Sequence, residues 1–234
     1  MRWLAVILGL AAWAAGPAMA TPPRATMSDD RMVAATQSHL YVLRDVVDNI
    51  GSHYDELRDQ HLVEISLETG EATRFWPLRR VAVSRLETGE LLNPGMVTER
   101  PGEVHDMMAV LRDAGAQPLS PNAWPEEGVT LEEGALVRDG ETVLTAFGLR
   151  AAGRAQLGIL RDAYPPIESE AEYRRAERID FYDLYAEGDW DCRVLPDRQT
   201  LFRQEQRLIL VKLRCEDAAL SGAWSFHAMI GEDP

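Results

Sequence analysis

Alternation of apolar and polar residues, repeated in several short segments, is the feature that most constrains the fold of this chain. Around Val63 and Ile65, and again from Ile209 to Cys215, apolar residues occupy every second position. Successive side chains of a strand point to opposite faces of a sheet, so this period of two indicates strands with one buried face. Such segments outnumber helical ones, which predicts an α+β fold built mainly on antiparallel sheet.

Short turns join several of the predicted strands. Thr69-Gly70 separates two alternating segments, and Asp139-Gly140 suits a type I′ turn inside a hairpin at 129–147. Pro77 lacks a backbone donor, so we expect it to avoid a central position in a ladder. The apolar pattern of segment 33–50 fits both a helix and a strand, and a strand is favoured over 39–47. Segment 21–31 is predicted to be a loose N-terminal segment. Further strands are predicted at 81–86, 179–185, 190–195, 207–215 and 225–230.

One segment has a clear helical pattern. Val104, Met107, Met108 and Leu111 form an i, i+3, i+4, i+7 stripe, which predicts a helix over 103–114. Pro101-Gly102 precedes this segment and Gly115 follows it, as expected for its start and stop. Weaker helical patterns occur at 150–163, where two glycines interrupt the segment, and at 169–178, which opens with a capping box.

The first 20 residues have the three parts of a secretory signal. Arg2 supplies a positive start, an apolar run extends from Leu4 to Ala15, and Ala18-Met19-Ala20 gives the small-residue cleavage pattern. The apolar run is shorter than the ~20 residues that a membrane-spanning helix needs. We therefore expect cleavage after Ala20, export to the periplasm, and one soluble domain at 21–234 without a stable membrane span.

Net charge narrows the choice of partners. The whole chain has a formal charge of −14, and Arg2 is the only charged residue of segment 1–20, so residues 21–234 carry −15 (−14 minus 1). Nucleic-acid affinity is built mainly from Lys and Arg contacts to phosphates. A nucleic-acid partner is therefore not expected, whereas an envelope protein or a glycan is compatible with this charge.

Cys192 and Cys215 are the only two cysteines. Disulfides form in oxidising compartments, and redox-active pairs usually occur as C-x-x-C, so this wide spacing predicts a structural disulfide. Cys215 lies on the same side of its predicted strand as Ile209, Val211 and Leu213, which favours a buried bridge.

Two local clusters contain metal-ligating or catalytic residue types. His53, Asp55 and Glu56 form one, and His105 with Asp106 forms the other. A zinc or calcium site could be assembled from both, although acidic surface loops commonly contain a histidine. Dinucleotide-binding and P-loop motifs are missing from the sequence, so no cofactor is expected.

An acidic and aromatic segment at 180–191 is the other candidate site. Phe181, Tyr182, Tyr185 and Trp190 are interleaved with five carboxylates. Aromatic faces beside carboxylates can hold sugars or cations, but a strand with one buried and one solvated face has the same pattern.

The sequence does not establish a function, because the chain carries no recognisable catalytic motif. The favoured interpretation is a non-catalytic periplasmic binding or accessory protein. The alternative is an envelope hydrolase that uses dispersed histidines and carboxylates, with or without a metal ion.

Overall fold

In the computed structural model, eight segments of the chain are described. They comprise residues 25–49, 52, 55–84, 96–119, 128–157, 190–203, 206–217 and 222–232.

Twelve strands form in these segments, and most of them belong to one sheet. Their bounds are β1 Thr26–Ala35, β2 His39–Asp48, β3 Asp55–Ser66, β4 Ala72–Ser84, β5 Met96–Glu99, β6 Gln117–Pro118, β7 Val129–Glu132, β8 Ala135–Arg138, β9 Glu141–Leu144, β10 Trp190–Arg203, β11 Gln206–Asp217 and β12 Gly222–Glu232. The large sheet has the order β10-β11-β12-β1-β2-β3-β4-β5, with β6 paired to β1, and a small sheet has the order β7-β8-β9. All pairs are antiparallel except β1 with β12, which is parallel. The prediction of a mainly antiparallel α+β fold is confirmed.

Both predicted tight turns join antiparallel strands. The β3–β4 connection runs through Leu67–Gly70, and Gly70 adopts a φ of 71° that an L-residue rarely takes. Asp139 and Gly140 have φ values of 52° and 84°, the sign that a type I′ turn requires at both central positions.

Pro77 lies in β4, where the ladder with β3 is irregular between Gln60 and His61. At this position the far side of β4 is not paired with β5, whose partners are residues 81–84. The Pro77 carbonyl instead accepts a hydrogen bond from the backbone N–H of His105 at 2.7 Å. Pro77 therefore avoids a doubly paired ladder position, as its missing donor requires.

Two helices occur in the described segments, and each begins at a different residue from the one predicted. Helix α1, Met107–Asp113, is shorter than predicted because Asp106 acts as its N-cap and accepts hydrogen bonds from the N–H groups of Met108 and Ala109. Helix α2, Ala146–Leu157, begins four residues before the predicted 150. The predicted helix at 169–178 and strand at 179–185 lie outside the described residues.

The N-terminal prediction was wrong. Residues predicted as a loose segment form most of β1, from Thr26 onward, and the ambiguous stretch after it belongs to β1 and β2. The residues Ser28-Asp29-Asp30-Arg31 are all polar, a pattern that is typical of a loop. They form a strand because Asp30 has an arginine partner on β2 and Ser28 pairs in register with both neighbouring strands.

The core divides into three apolar clusters on the two faces of the sheet. One joins β11 and β12 to β7, β8 and α2 and contains Cys215; a second joins Leu208 and Leu210 to β1, β2 and β3; the third packs Leu111 of α1 on Tyr41 and Leu62. Cys192 and Cys215 face each other on β10 and β11 and form the predicted disulfide. Ile209, Val211 and Leu213 share the cluster of Cys215, as the alternation predicted.

A buried polar network lies where β12 separates from β1. The parallel pairing of these strands ends at Ser28, and the Gln156 side chain of α2 then bonds both the N–H and the C=O of His227. The backbone carbonyl of Gln156 accepts a hydrogen bond from the Arg44 guanidinium. Arg44 also forms a bidentate ion pair with Asp30, with both N–O distances at 2.7 Å. Gln156 thus supplies the backbone partners that a neighbouring strand would have given to β12.

Candidate functional site

The two described residues of the first predicted cluster, Asp55 and Glu56, each bond to different neighbours. His53 lies outside the described residues. Asp55 accepts hydrogen bonds from the hydroxyl groups of Ser52 and Ser84, at the start of β3. The Glu56 carboxylate forms an ion pair with Arg58 on the same strand. Both carboxylates therefore have partners within this end of the sheet.

The second predicted cluster lies elsewhere. Asp106 caps α1, and the His105 ring is 3.9 Å from the Glu103 carboxylate. Asp55 pairs with Ser84, whereas His105 is bonded to Pro77, seven residues away along β4. At ~3.3 Å per residue, the two halves of the predicted site are separated by roughly 23 Å.

The aromatic candidate site is almost entirely outside the described residues. Phe181, Tyr182 and Tyr185 belong to the undescribed segment before β10, and Trp190 is the first residue of that strand. Within the described part of the chain, no group of three or more His, Cys, Asp or Glu residues is arranged to hold a metal ion.

A trough on one face of the sheet is the site that the described residues form best. This face also carries Tyr41, Leu62 and Trp76, which α1 covers, and we call it the α1 face. Beyond the helix the face continues as a trough of about 520 Å³, which we call the valine trough. Its lining residues are Asp45, Val46, Val47, Arg58, Asp59, Gln60, Arg79, Val81, Val83 and Val97.

The register of four strands explains the composition of the valine trough. Asp45, Gln60 and Arg79 are opposite one another on β2, β3 and β4, so they form a polar row beside α1. Because side chains alternate, the next positions on this face are Val47, Arg58 and Val81. The final row pairs Glu56 with Val83 and Val83 with Val97. The trough thus has a floor rich in valine and a polar margin.

Most charged groups of the valine trough are already paired. The Gln60 amide donates to the Asp45 carboxylate at 2.7 Å, and Arg58 is paired with Glu56. Arg79 is exposed and makes no hydrogen bond or ion pair with the other described residues. Arg79 is therefore the group of the trough that is open to an incoming anion.

The opposite face of the same strands carries a second polar cluster. Asp59 is 2.9 Å from the Arg100 guanidinium and 3.8 Å from that of Arg80. Burial, with the positive charges of Arg44, Arg80 and Arg100, lowers the pKa of His61 to about 3, so its ring is neutral near pH 7. This cluster links β3, β4 and the residue after β5, and its Asp59 also belongs to the lining of the trough.

Tyr41 lies beneath α1 on the α1 face. Its hydroxyl group donates to the Glu64 carboxylate at 2.7 Å, and the same carboxylate accepts from Thr73. Burial and then the Glu64 contact raise the pKa of the Tyr41 phenol above its ordinary value. The phenol is therefore held neutral and acts as a hydrogen-bond donor under the helix.

The described lining of the valine trough contains no histidine, cysteine, serine or threonine. Its two carboxylates are engaged, because Asp45 accepts from Gln60 and Asp59 accepts from Arg100. Apolar floors with a few polar groups at the margin are typical of recognition sites. This site could not be predicted from the sequence, because the alternation at Val81 and Val83 indicates a strand but not the strands beside it.

Among the described residues, no helix has the length and apolar character needed to cross a membrane. Comparison of the chain with protein-family models, with curated proteins and with solved structures found no match.

Proposed function

We propose that this chain is a non-catalytic binding protein of the bacterial periplasm that holds a segment of a partner protein in the valine trough. The observation that carries the proposal is a trough in which Val81 and Val83 form a buried floor and Val47 and Val97 stay partly exposed, on a sheet face that also carries α1. A trough of about 520 Å³ is within the range of ligand-binding sites.

The alternative function, an envelope hydrolase, has less support in the described residues. Catalysis by a histidine and a carboxylate requires the two groups to converge within hydrogen-bond reach of a substrate. Of the four described members of the predicted cluster, Asp55 and Glu56 are roughly 23 Å from His105 and Asp106 at ~3.3 Å per residue. A partner protein is also favoured over a glycan, because the trough floor is aliphatic and none of its described lining residues is aromatic.

Selection from a random peptide display library on the immobilised, disulfide-intact chain tests the proposed function. Val97→Asp places a charge in the trough at a half-exposed position, and Phe147→Asp is the control on α2, where the side chain is exposed and does not belong to the trough lining. We expect the selected peptides to bind the Val97→Asp variant about tenfold more weakly, a loss of about 1.4 kcal/mol. The Phe147→Asp variant should bind them as the unmodified chain does.

Two results would overturn the proposal. One is a selection that enriches no peptide above an unrelated immobilised protein. The other is a set of peptides whose affinity is the same for the unmodified chain and the Val97→Asp variant. Circular dichroism of both variants establishes that they fold, so that a weaker signal reports on the trough.

A further inference from the structure

Strand β5 leaves one edge of the large sheet open beside the valine trough. Among the described strands it is the last in the order of this sheet, and it pairs with β4 alone. All of its residues are exposed, with Met96 63 % and Val97 49 % accessible to solvent. Prolines, lysines and bulges commonly protect the edges of natural sheets, and β5 has none of these. An edge of this kind can accept another strand.

The register identifies the backbone groups that lie at this open edge. In an antiparallel ladder, residues that bond to the neighbouring strand alternate with residues that do not. The N–H of Arg100 donates to the C=O of Arg80 at 2.9 Å, so the backbone groups of Thr98, two residues earlier, also face β4. Val97 and Glu99 flank Thr98 and therefore direct their N–H and C=O groups away from β4. Neither of them has a backbone hydrogen bond to another described residue at this edge.

The side chains of the same two residues lie on the face of the valine trough. Val97 is opposite Val83, which belongs to the buried floor. Glu99 is opposite Val81, and directly opposite residues of two strands share a face of the sheet. A strand added beside β5 would place one side chain over the exposed side of Val97 and another next to Glu99. One extended segment would thus make both main-chain and side-chain contacts at the margin of the trough.

Charge selects among the possible occupants of this edge. Glu99 is exposed, and its carboxylate makes no hydrogen bond or ion pair with the other described residues. Opposite charges at directly paired positions stabilise a sheet, so a Lys or Arg beside Glu99 would favour pairing. A second copy of this chain is disfavoured, because each copy has a formal charge of −14. A basic segment of a partner protein is therefore the occupant that fits the edge best.

We propose that an extended segment of a partner protein adds to the sheet as a strand beside β5, with an apolar residue next to Val97 and a Lys or Arg next to Glu99. One residue separates these two positions of the segment, because successive side chains of a strand point to opposite faces. This inference rests on the proposed function, because it names the conformation and the charge of the segment that the valine trough holds.

Backbone methylation of a bound peptide tests strand addition. A peptide selected from the random display library is synthesised with one N-methyl group at each position in turn, and its affinity for the full, disulfide-intact chain is measured. A methyl group on an N–H that points to β5 removes a ladder hydrogen bond and should weaken binding about tenfold. Methyl groups at the intervening residues should have little effect. The expected result is therefore a period of two along the peptide.

The Val97→Pro variant removes the corresponding donor from the chain. Because the Val97 N–H points away from β4, this substitution leaves the ladder between β4 and β5 intact, and proline is tolerated at such edge positions. The variant should bind the selected peptide about tenfold more weakly. Circular dichroism establishes that it folds.

Variants of Glu99 test the charge of the segment. Peptides selected on the unmodified chain should share a Lys or Arg two positions from an apolar residue. Selection on the Glu99→Gln variant should lose this enrichment, and selection on the Glu99→Lys variant should enrich Asp or Glu at the same position. The Glu141→Gln variant removes an exposed carboxylate from β9, outside the trough lining, and is the matched control. It should select the same basic residue as the unmodified chain.

The outcomes separate this inference from the proposed function. Peptides that bind the Val97→Asp variant more weakly but show no period of two on methylation, or no basic enrichment, would overturn the inference and leave the proposed function standing. A dimer in sedimentation equilibrium that the Val97→Pro variant abolishes would also overturn the inference, because a second copy would then occupy the edge. If no selected peptide depends on Val97, both proposals fail.

Discussion

Acidification should destabilise this fold through two buried histidines, and His227 is the clearer case. Its side chain is fully buried on β12, and neither ring nitrogen has a hydrogen-bond partner among the described residues. Burial, followed by the charges of Lys212 and Arg44, lowers its pKa from 6.5 to about 3, while Asp29 acts in the opposite direction. A proton on this ring would be buried beside two cations.

His61 responds in the same sense on the other side of the sheet. It is 1 % exposed, and burial with three arginine charges lowers its pKa from 6.5 to about 3. Between pH 6.5 and pH 3 the unfolded chain therefore binds protons that the folded chain does not. The contribution of both histidines to stability is fully present above pH 6.5 and falls as the pH decreases toward 3.

The expected magnitude follows from these pKa values. At pH 4.5, two units below the unfolded value, each histidine costs about 3 kcal/mol, since one pKa unit corresponds to about 1.4 kcal/mol. Together they remove about 6 kcal/mol from the free energy of unfolding. Domains of this kind are usually stable by about 5–15 kcal/mol, so the chain should be close to unfolding at pH 4.5.

Urea titrations at pH 7 and pH 4.5, followed by tryptophan fluorescence and circular dichroism, measure this loss. The His227→Leu variant keeps an apolar side chain at the buried site and should lose about half as much stability between the two pH values. Replacing His61 by Leu as well should remove most of the histidine-dependent loss. The His105→Gln variant, at a half-exposed position, controls for the removal of any histidine.

Comparison of variants separates the histidines from acidic groups, which also titrate in this range. If the double histidine variant loses as much stability as the unmodified chain between pH 7 and pH 4.5, the reasoning is refuted. A loss below about 1 kcal/mol in the unmodified chain would refute it equally, because pKa values near 3 require more.

Three further predictions concern the remaining supports of the fold. Arg44→Met leaves the Asp30 carboxylate buried without its bidentate partner and should lower the free energy of unfolding by about 3–5 kcal/mol in urea titrations, with partial recovery when Asp30→Leu is added. Thiol titration of the denatured, unreduced chain should detect no free thiol, and replacing Cys192 and Cys215 by Ser should cost about 3 kcal/mol on the chain-entropy account. Asp106→Ala removes the N-cap of α1 and should cost about 1 kcal/mol, measured by thermal unfolding.

Local patterns predicted several of the long strands, although not β1, because alternation is a property of neighbours in sequence. His39–Asp48, Asp55–Ser66 and Gln206–Asp217 all contain the apolar residues that the pattern placed in strands. The cysteine pair was also predictable, since Cys215 shares a face with an apolar row. These features require only period and composition.

The valine trough and the buried ion pair could not be predicted in this way. Arg44 is a polar position within a predicted strand, and only its register against Asp30 makes it a core residue. Likewise, Asp45, Gln60 and Arg79 form one row because three strands align, and no local pattern specifies that alignment. The predicted site clusters failed to converge for the same reason, because proximity in sequence carried no information about distance across the sheet.

Strand β3 connects the acid-sensitive core to the proposed binding face. Gln60 and Asp59 both line the valine trough, and Asp59 also pairs with Arg100, one of the arginines whose charges lower the pKa of the adjacent His61. Acidification would therefore disturb the trough through the strand that forms its centre, even though its described lining contains no histidine. Loss of binding at low pH would then follow the unfolding curve. Substitution of the exposed Glu99 at neutral pH, in contrast, should change binding while the unfolding curve stays the same, which separates recognition from stability.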